Sequence, residues 1–311
     1  MFGFIRKAVF TAYNTVFRAV QRYDLSEWDH RPDVVMPVYG VYHVFCDKGW
    51  RELVTDQISR LKKSGLYDVT DRLYVSCIVT DAQDAEELRR MIGEDKVEMI
   101  SVSADPARFE YPALEFMRDK SSGEDCLFYY FHTKGISYYG GGKSDKSFLS
   151  FRRNVDAWRR MMEYFLFNKW QVAVNALTGG YDTYGCYRLP PYPKKYYMYA
   201  GNFWWVRSDY VRRLPAFPEK RISTDRFIAE EWLYKGAPED FSAFDTLANL
   251  YYVYMDSRLY TSPRLPVVRW IRFVLRFNWV KLRKHLFGYD YKANGQDRYQ
   301  VLRTGGDSAG S

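Results

Sequence analysis

The chain has 311 residues, 47% of them hydrophobic and 19% aromatic, and carries a formal net charge of +8 with a sequence pI near 9.1. That length and apolar content suffice for a sizeable buried core, which excludes a disordered chain, and no uninterrupted apolar stretch reaches the roughly 18 residues of a bilayer span. The charge favours an anionic partner and leaves nucleic acid, anionic lipid and phosphorylated small molecules open.

Residues 1–23 contain no acidic residue. Phe4, Ile5, Ala8, Val9, Ala12, Tyr13, Val16, Phe17 and Val20 recur at helical spacing between Arg6, Lys7, Arg18 and Arg22, which predicts a basic amphipathic helix. A membrane surface, a transit peptide and a terminal helix docked on the domain are all readings of it. Residues 24–37, with two prolines and mixed charge, read as a linker. An alternating pattern then predicts a first strand from Val38 to Asp47. Trp50 to Ser64 carries Leu53, Gln57, Ile58 and Leu61 at helical spacing, with Gly65 as its stop. Strands over 72–80 and 96–102 enclose a helix over 82–92, and a helix over 111–120 has Pro112 in its first turn.

Cys126 to Ser137 reads Cys-Leu-Phe-Tyr-Tyr-Phe-His-Thr-Lys-Gly-Ile-Ser, an apolar and aromatic run that stops abruptly at polar groups. A continuous rather than alternating run predicts a strand covered on both faces, as in a parallel sheet flanked by helices. Ligands of such sheets bind beyond the carboxyl ends of the strands. His132, Thr133 and Lys134 would stand there, with Gly135 turning the backbone; the plain alternative is a strand end whose histidine bonds locally. Strands alternating with helices point to a doubly wound α/β half.

In the second half, residues 148–177 predict one long helix with Phe151, Val155, Trp158, Met162 and Phe165 along its core side. A glycine-punctuated loop over 179–186 contains Asp182, and a turn holds Pro190, Pro191 and Pro193. Tyr196 to Val206 reads as a strand interrupted by Gly201 and Asn202, the mark of a bulge or of a backbone approached by a ligand. A short helix over 208–213 precedes Asp225 to Trp232, which carries Glu230 and Glu231. Residues 267–287 form a second basic amphipathic stretch whose Trp, Phe and Arg suit a bilayer interface, with packing back on the domain as the alternative. Residues 305–311 read as disordered, and no internal repeat is evident. Of the four cysteines, Cys46, Cys77, Cys126 and Cys186, three lie in or beside apolar runs, as reduced thiols of a cytosolic protein do.

The order Phe-Glu-Tyr-Pro-Ala-Leu (Phe109 to Leu114), Tyr-Phe-His-Thr-Lys-Gly, Asp-Thr-Tyr-Gly, Gly-Asn-Phe-Trp-Trp and Ala-Glu-Glu-Trp resembles bacterial sugar transferases of GT-A type. It is similar in particular to relatives of rhamnan synthesis proteins, in which His-Thr-Lys stands where other GT-A enzymes carry Asp-x-Asp. The resemblance covers roughly residues 38 to 260. It implies an α/β, GT-A-like (Rossmann-like) mixed sheet flanked by helices, with amphipathic terminal helices. The corresponding organisation is a helix and linker over 1–37, a transferase domain over 38–262 and a basic helix and tail over 263–311. Within that domain, 38–147 would be the nucleotide-sugar half and 148–262 the acceptor half.

The donor would lie across the strand ends near Asp47, Asp81 and residues 132–135, with Asp182, Gly201 and Asn202 also on the substrate side. No Asp-x-Asp occurs in the sequence, so the positive charge opposite the leaving diphosphate is assigned to Lys134, with His132 as a hydrogen-bond donor. This favours a reaction without cofactor or metal over one using a divalent ion. A carboxylate must deprotonate the acceptor hydroxyl; Glu230 matches the Ala-Glu-x-Trp position, and Glu231 is the reserve, against the plain reading of a solvated helix start. Trp204 and Trp205 would stack on a sugar, or else belong to the core.

The expected activity is transfer of a hexosyl or deoxyhexosyl group from a nucleotide-diphosphate donor to a glycan or lipid-linked acceptor in surface polysaccharide biosynthesis. The expected place is the cytoplasm, peripheral to the inner face of the membrane, with an anionic membrane surface as a further partner and no nucleic acid. The competing class is a non-catalytic basic nucleic-acid-binding protein, which the charge and aromatic content favour and the lack of any clustered motif disfavours.

Overall fold

The apolar run that ends at His132 becomes an inner strand of a seven-stranded sheet. The computed structural model describes residues 6, 13, 16–33, 36–93, 95–139, 145–189, 197–217 and 226–299. Strands β1 (Val38–Cys46), β2 (Arg72–Val79), β3 (Val97–Ser103) and β4 (Leu127–His132) pair in parallel, and β5 (Thr183–Gly185), β6 (Trp204–Arg207) and β7 (Asp240–Ser242) extend the sheet. The order is β7-β5-β6-β4-β1-β2-β3, with β6 antiparallel to both its neighbours. This is a mixed α/β sheet flanked by helices, as the alternation of strands and helices predicts.

Helix α1 (Trp50–Lys63) follows β1, α2 (Asp84–Ile92) follows β2, and α3 (Tyr111–Ser121) precedes β4. One face of the sheet packs Tyr39, Val41, Phe128 and Tyr130 against Tyr111, Leu114 and Met117 of α3. On the other face the Tyr42 hydroxyl donates to Gln57 of α1 at 2.8 Å. Covered on both sides, the five residues from Leu127 to Phe131 are all 0% exposed, which is why that stretch tolerates no polar residue. Gly40 of β1 lies beside Tyr129 of β4, where a Cβ would stand 2.4 Å from the tyrosine hydroxyl. The ring fills the space that a side chain would occupy.

Two expectations change. The predicted helix over 148–177 divides into α4 (Lys146–Glu163), a π-helical turn over Tyr164–Asn168, and α5 (Trp170–Thr178). Phe165, Leu166 and Phe167 are consecutive and all buried, which a single face of a 3.6-residue helix cannot achieve; the wider turn coincides with their burial. The predicted strand over 196–206 also divides. Met198–Tyr199 pairs with Arg188–Leu189 in a separate ribbon, and the chain turns before β6.

Two compact units result. Residues 24–136 and 162–243 carry the large sheet and a short helix α6 (Arg226–Glu231). Residues 1–23, 137–161 and 244–311 form the other, so the units do not follow the sequence-order divisions at 37, 147 and 262. Its described part has a small core of Tyr138, Phe148, Phe151, Val155 and Tyr299, and contains helix α7 (Val267–Leu286). Helix α7 buries Phe273, Phe277 and Val280 and leaves Val268, Ile271, Leu275, Trp279, Leu282 and Leu286 exposed as a stripe. Among the described residues no helix is long and apolar enough to cross a membrane. Most of the predicted helix over 1–23, the proline-rich turn and the tail over 305–311 lie outside the described residues; the described end of that helix is a 3-10 turn over Phe17–Ala19, after which Gln21–Arg22 pair as a short strand with Phe244–Asp245 in place of helix. The four cysteines are buried free thiols, and burial pushes those of Cys77 and Cys126 up to about 12, which keeps them unreactive.

Candidate functional site

From β1 the chain crosses to β2 on one side, and it later returns as β4 on the other. Connections that diverge in this way leave a crevice at the carboxyl ends of β1 and β4, the switch point at which α/β sheets bind ligands. His43 and His132 are register partners across it, and Ser76 of β2 partners His43 on the far side. His43 is buried, with Nδ1 2.7 Å from the Ser76 hydroxyl. Burial, opposed by the charge of Glu110 and aided by that of His132, pulls its pKa down to about 4, so it is neutral at pH 7.

His132 lies 2.9 Å through Nε2 from the carbonyl of Gly201. A carbonyl only accepts, so Nε2 carries the proton and Nδ1 is left facing Glu110 at 3.7 Å. Glu110 immediately precedes α3, where the helix dipole favours a carboxylate. It accepts from the Tyr130 hydroxyl at 2.9 Å and from the side-chain amide of Asn202. The Asn202 oxygen in turn accepts from the Trp204 indole at 2.6 Å.

That arrangement explains the Gly-Asn pair. The amide of Asn202 donates to the Tyr199 carbonyl at 3.0 Å and closes a tight turn, in which Gly201 at φ 92 and Asn202 at φ 59 both take the left-handed conformation. Glycine does so freely, and asparagine is among the side chains that tolerate it best while bridging two partners. The interruption read from the sequence is therefore a turn, and it presents a carbonyl and an amide to the carboxylate–imidazole pair.

The Tyr130 hydroxyl is held well above the usual tyrosine range by burial first, then by the charge and hydrogen bond of Glu110, with the charge of Glu230 of α6 as the smallest contribution. Glu231 pairs with Lys235 at 2.9 Å along the helix surface. Thr133 ties the end of β4 to β1, accepting from the Phe45 amide at 2.9 Å and donating its own amide to the His43 carbonyl at 3.1 Å. Half-buried Lys134 opens the turn that follows, its amide donating to the His132 carbonyl at 2.7 Å, and Gly135 completes the turn at φ 86. Asp47 and exposed Asp81 stand past the ends of β1 and β2, on the same edge. Between them the buried Asp84 accepts from the Trp50 indole at 3.3 Å and Arg51 at 3.2 Å.

Three expected site residues are not brought there. Asp182 precedes β5, and its carbonyl accepts from the Arg207 amide at 3.2 Å beside Leu127, the start of β4, which puts it on the opposite sheet edge. Its carboxylate instead holds Arg213 at 2.7 Å and the Glu239 amide at 2.9 Å. Trp204 and Trp205 are 1% and 0% exposed and pack on Tyr130 and Tyr129, so they are core rings beneath the site rather than a sugar platform. Glu110, Tyr130, His43 and Ser76 were not singled out from the sequence as site residues; the Phe-Glu-Tyr-Pro motif was the one signal for Glu110. Among the described residues no three His, Cys, Asp or Glu side chains converge as a metal cage requires. A carboxylate, an imidazole and an amide at a crevice can bind hydroxyl groups and accept a proton from one of them.

No family model and no curated protein matches the chain. Among solved structures it is similar to a protein of Desulfovibrio desulfuricans G20 provisionally named a nucleotide-diphospho-sugar transferase, at 12% identity and a TM-score of 0.37, over 77% of this chain and 97% of that one. A likeness this loose decides nothing about the chemistry.

Proposed function

We propose that this chain is a glycosyltransferase that moves a hexosyl or deoxyhexosyl group from a nucleotide-diphosphate donor to a hydroxyl of a glycan or lipid-linked acceptor, in assembly of surface polysaccharide. The observation that carries the reading is the convergence of Glu110, His132 and Asn202 at the switch point of the sheet. In this reading the nucleotide lies across the ends of β1 and β2, where Asp47 and Asp81 accept its hydroxyl groups. Glu230 takes the proton of the acceptor hydroxyl as its oxygen bonds to the anomeric carbon; the bond to the diphosphate breaks, and Lys134 balances the charge that the departing nucleoside diphosphate gains. His132, whose Nε2–H is held by the Gly201 carbonyl, positions the Gly201 turn and does not donate to that group. Glu110 orients His132 and Asn202 rather than reacting, and the reaction needs no metal.

Titration calorimetry with a panel of nucleotide sugars, beside single-stranded DNA and RNA, tests this. One donor class is expected to bind and to raise the melting temperature, while nucleic acid does neither. Nucleic-acid binding without any nucleotide-sugar binding would establish the competing class.

The stripe of α7, bordered by Arg269, Arg272, Arg276 and Lys281 without an acidic residue in the helix, supports a peripheral position on an anionic membrane. Each cation near such a surface adds about 1 kcal/mol, screened by salt. Co-sedimentation with phosphatidylglycerol vesicles should fall in high salt and in Leu275→Glu/Trp279→Glu; sedimentation indifferent to both overturns the placement.

A further inference from the structure

One cavity lies apart from every residue assigned to the transfer reaction. It has a volume of about 300 Å³ and lies wholly within the unit containing residues 137–161 and 244–299, between the start of α4, helix α7 and the segment that follows α7. That volume is at the lower end of small-molecule sites. Its charged lining groups are Lys146, Arg276 and Arg283, all cations, with no carboxylate among the lining residues. Its walls are aromatic, with Tyr251, Tyr252, Tyr289, Tyr291 and Tyr299, and Ser147, Ser150 and Asn294 add short polar groups.

The parts are positioned by one another. The guanidinium of Arg283 sits 4.0 Å over the Tyr289 ring and 5.9 Å from that of Tyr291, which restricts its fork to one region of the wall. The rings of Tyr252 and Tyr291 are 4.8 Å apart, and the Tyr252 hydroxyl donates to the Tyr291 carbonyl. Gly295 makes room for that wall, since a Cβ there would come within 2.7 Å of the Tyr252 ring. The Tyr291 hydroxyl is buried and has no hydrogen-bond partner among the described residues, an unusual state for a buried polar atom and one that a ligand would relieve. Cations select an anion, tyrosine rings offer flat faces to a sugar, and short polar groups suit its hydroxyls.

The helix adds a direction. At about 100° per residue, Arg272, Arg276 and Arg283 fall on one flank of α7, between its buried line at Phe273, Phe277 and Val280 and its exposed stripe at Ile271, Leu275, Trp279 and Leu282. An anionic group held by Arg276 and Arg283 therefore lies next to an apolar track.

We infer that this cavity binds a phosphorylated saccharide, with the phosphate at Arg276 and Arg283 and the sugar against the tyrosine rings. The inference deepens the proposed function by naming the acceptor class, and it rests on that reading only for the use made of the ligand; the binding itself is separate. The same chemistry occurs in a free sugar phosphate and in a sugar joined to a lipid through a diphosphate.

The test is titration calorimetry of the full chain with glucose 1-phosphate and with glucose, in the absence of any donor. Glucose 1-phosphate should bind at least about tenfold more tightly than glucose. Arg276→Gln/Arg283→Gln should remove about tenfold or more of that affinity, and Tyr291→Phe, which deletes one oxygen and keeps the ring, several-fold. Glu110→Gln, on the sheet edge, should leave it intact. Absence of glucose 1-phosphate binding at millimolar concentration, equal binding of glucose, or affinity unchanged in both Tyr291→Phe and the arginine variant overturns the inference. Flotation with phosphatidylcholine vesicles carrying polyprenyl diphosphoglucose separates the sources. Arginine-dependent capture tighter than that of glucose 1-phosphate assigns the lipid-linked form, and equal affinity assigns the free one. Because no transfer is measured, failure here leaves the nucleotide-sugar panel standing, and failure of that panel leaves this site standing.

Discussion

Glu230→Gln is expected to lower turnover about a hundredfold or more while donor affinity stays near that of the wild type, because a general base acts on the acceptor hydroxyl and not on the nucleotide. Glutamine keeps the volume and helix propensity of the glutamate in α6 and removes only its capacity to take a proton. The sequence put Glu230 first, on the Ala-Glu-x-Trp position, and kept Glu231 in reserve, and their surroundings differ in the same sense. The charge of Glu230 is felt at the Tyr130 hydroxyl, beside Glu110 and Asn202, whereas Glu231 pairs with Lys235 on the helix surface. Glu231→Gln should accordingly lose far less. Initial rates at saturating donor, with donor affinity measured separately, decide the matter. An unimpaired Glu230→Gln would remove it from the mechanism and leave Glu110 as the carboxylate at the crevice.

Lys134→Ala should lose about a hundredfold or more in rate, with Lys134→Met no better, because the departing diphosphate needs a charge and not a volume. His132→Gln should lose less, since His132 holds the Gly201 turn in place and supplies no charge to the departing group. Activity of the wild type should persist in excess chelator. If chelation abolishes activity and manganese restores it, the metal-free account fails, and Asp47 and Asp81 become the ligand candidates. Asp182 is excluded from that role by its place on the opposite sheet edge, where it is committed to Arg213 and the Glu239 amide.

Much of the sheet was legible because its signals are local. The unbroken run ending at His132 marked a strand buried on both faces, and the alternation after Val38 and the helical spacing after Trp50 placed β1 and α1 within a residue or two. Elements whose form depends on distant partners were not. Three consecutive apolar residues, Phe165 to Phe167, look like any helix interior, yet all three are buried and the turn there widens. Trp204 and Trp205 sit in a strand packed on both faces, so two rings that look available to a ligand are both consumed by the core. Glu110 was missed for a related reason. It precedes a short helix as many surface acids do, and only the convergence of Tyr130, His132 and Asn202 from two other segments sets it apart.

The position of β4 has a consequence for how the protein reaches its folded state. That strand takes one neighbour, β1, from far earlier in the chain and another, β6, from far later, so neither pairing is helped by a short connection. Pairings of such long sequence separation require large loops to close before they are rewarded, and they form slowly. The cluster around Glu110 needs both, since His132 comes with β4 and Asn202 with the turn into β6. Until they close, β4 exposes an apolar edge where the Glu110 cluster forms, so the pairings that complete the cluster are also the ones that cover that edge.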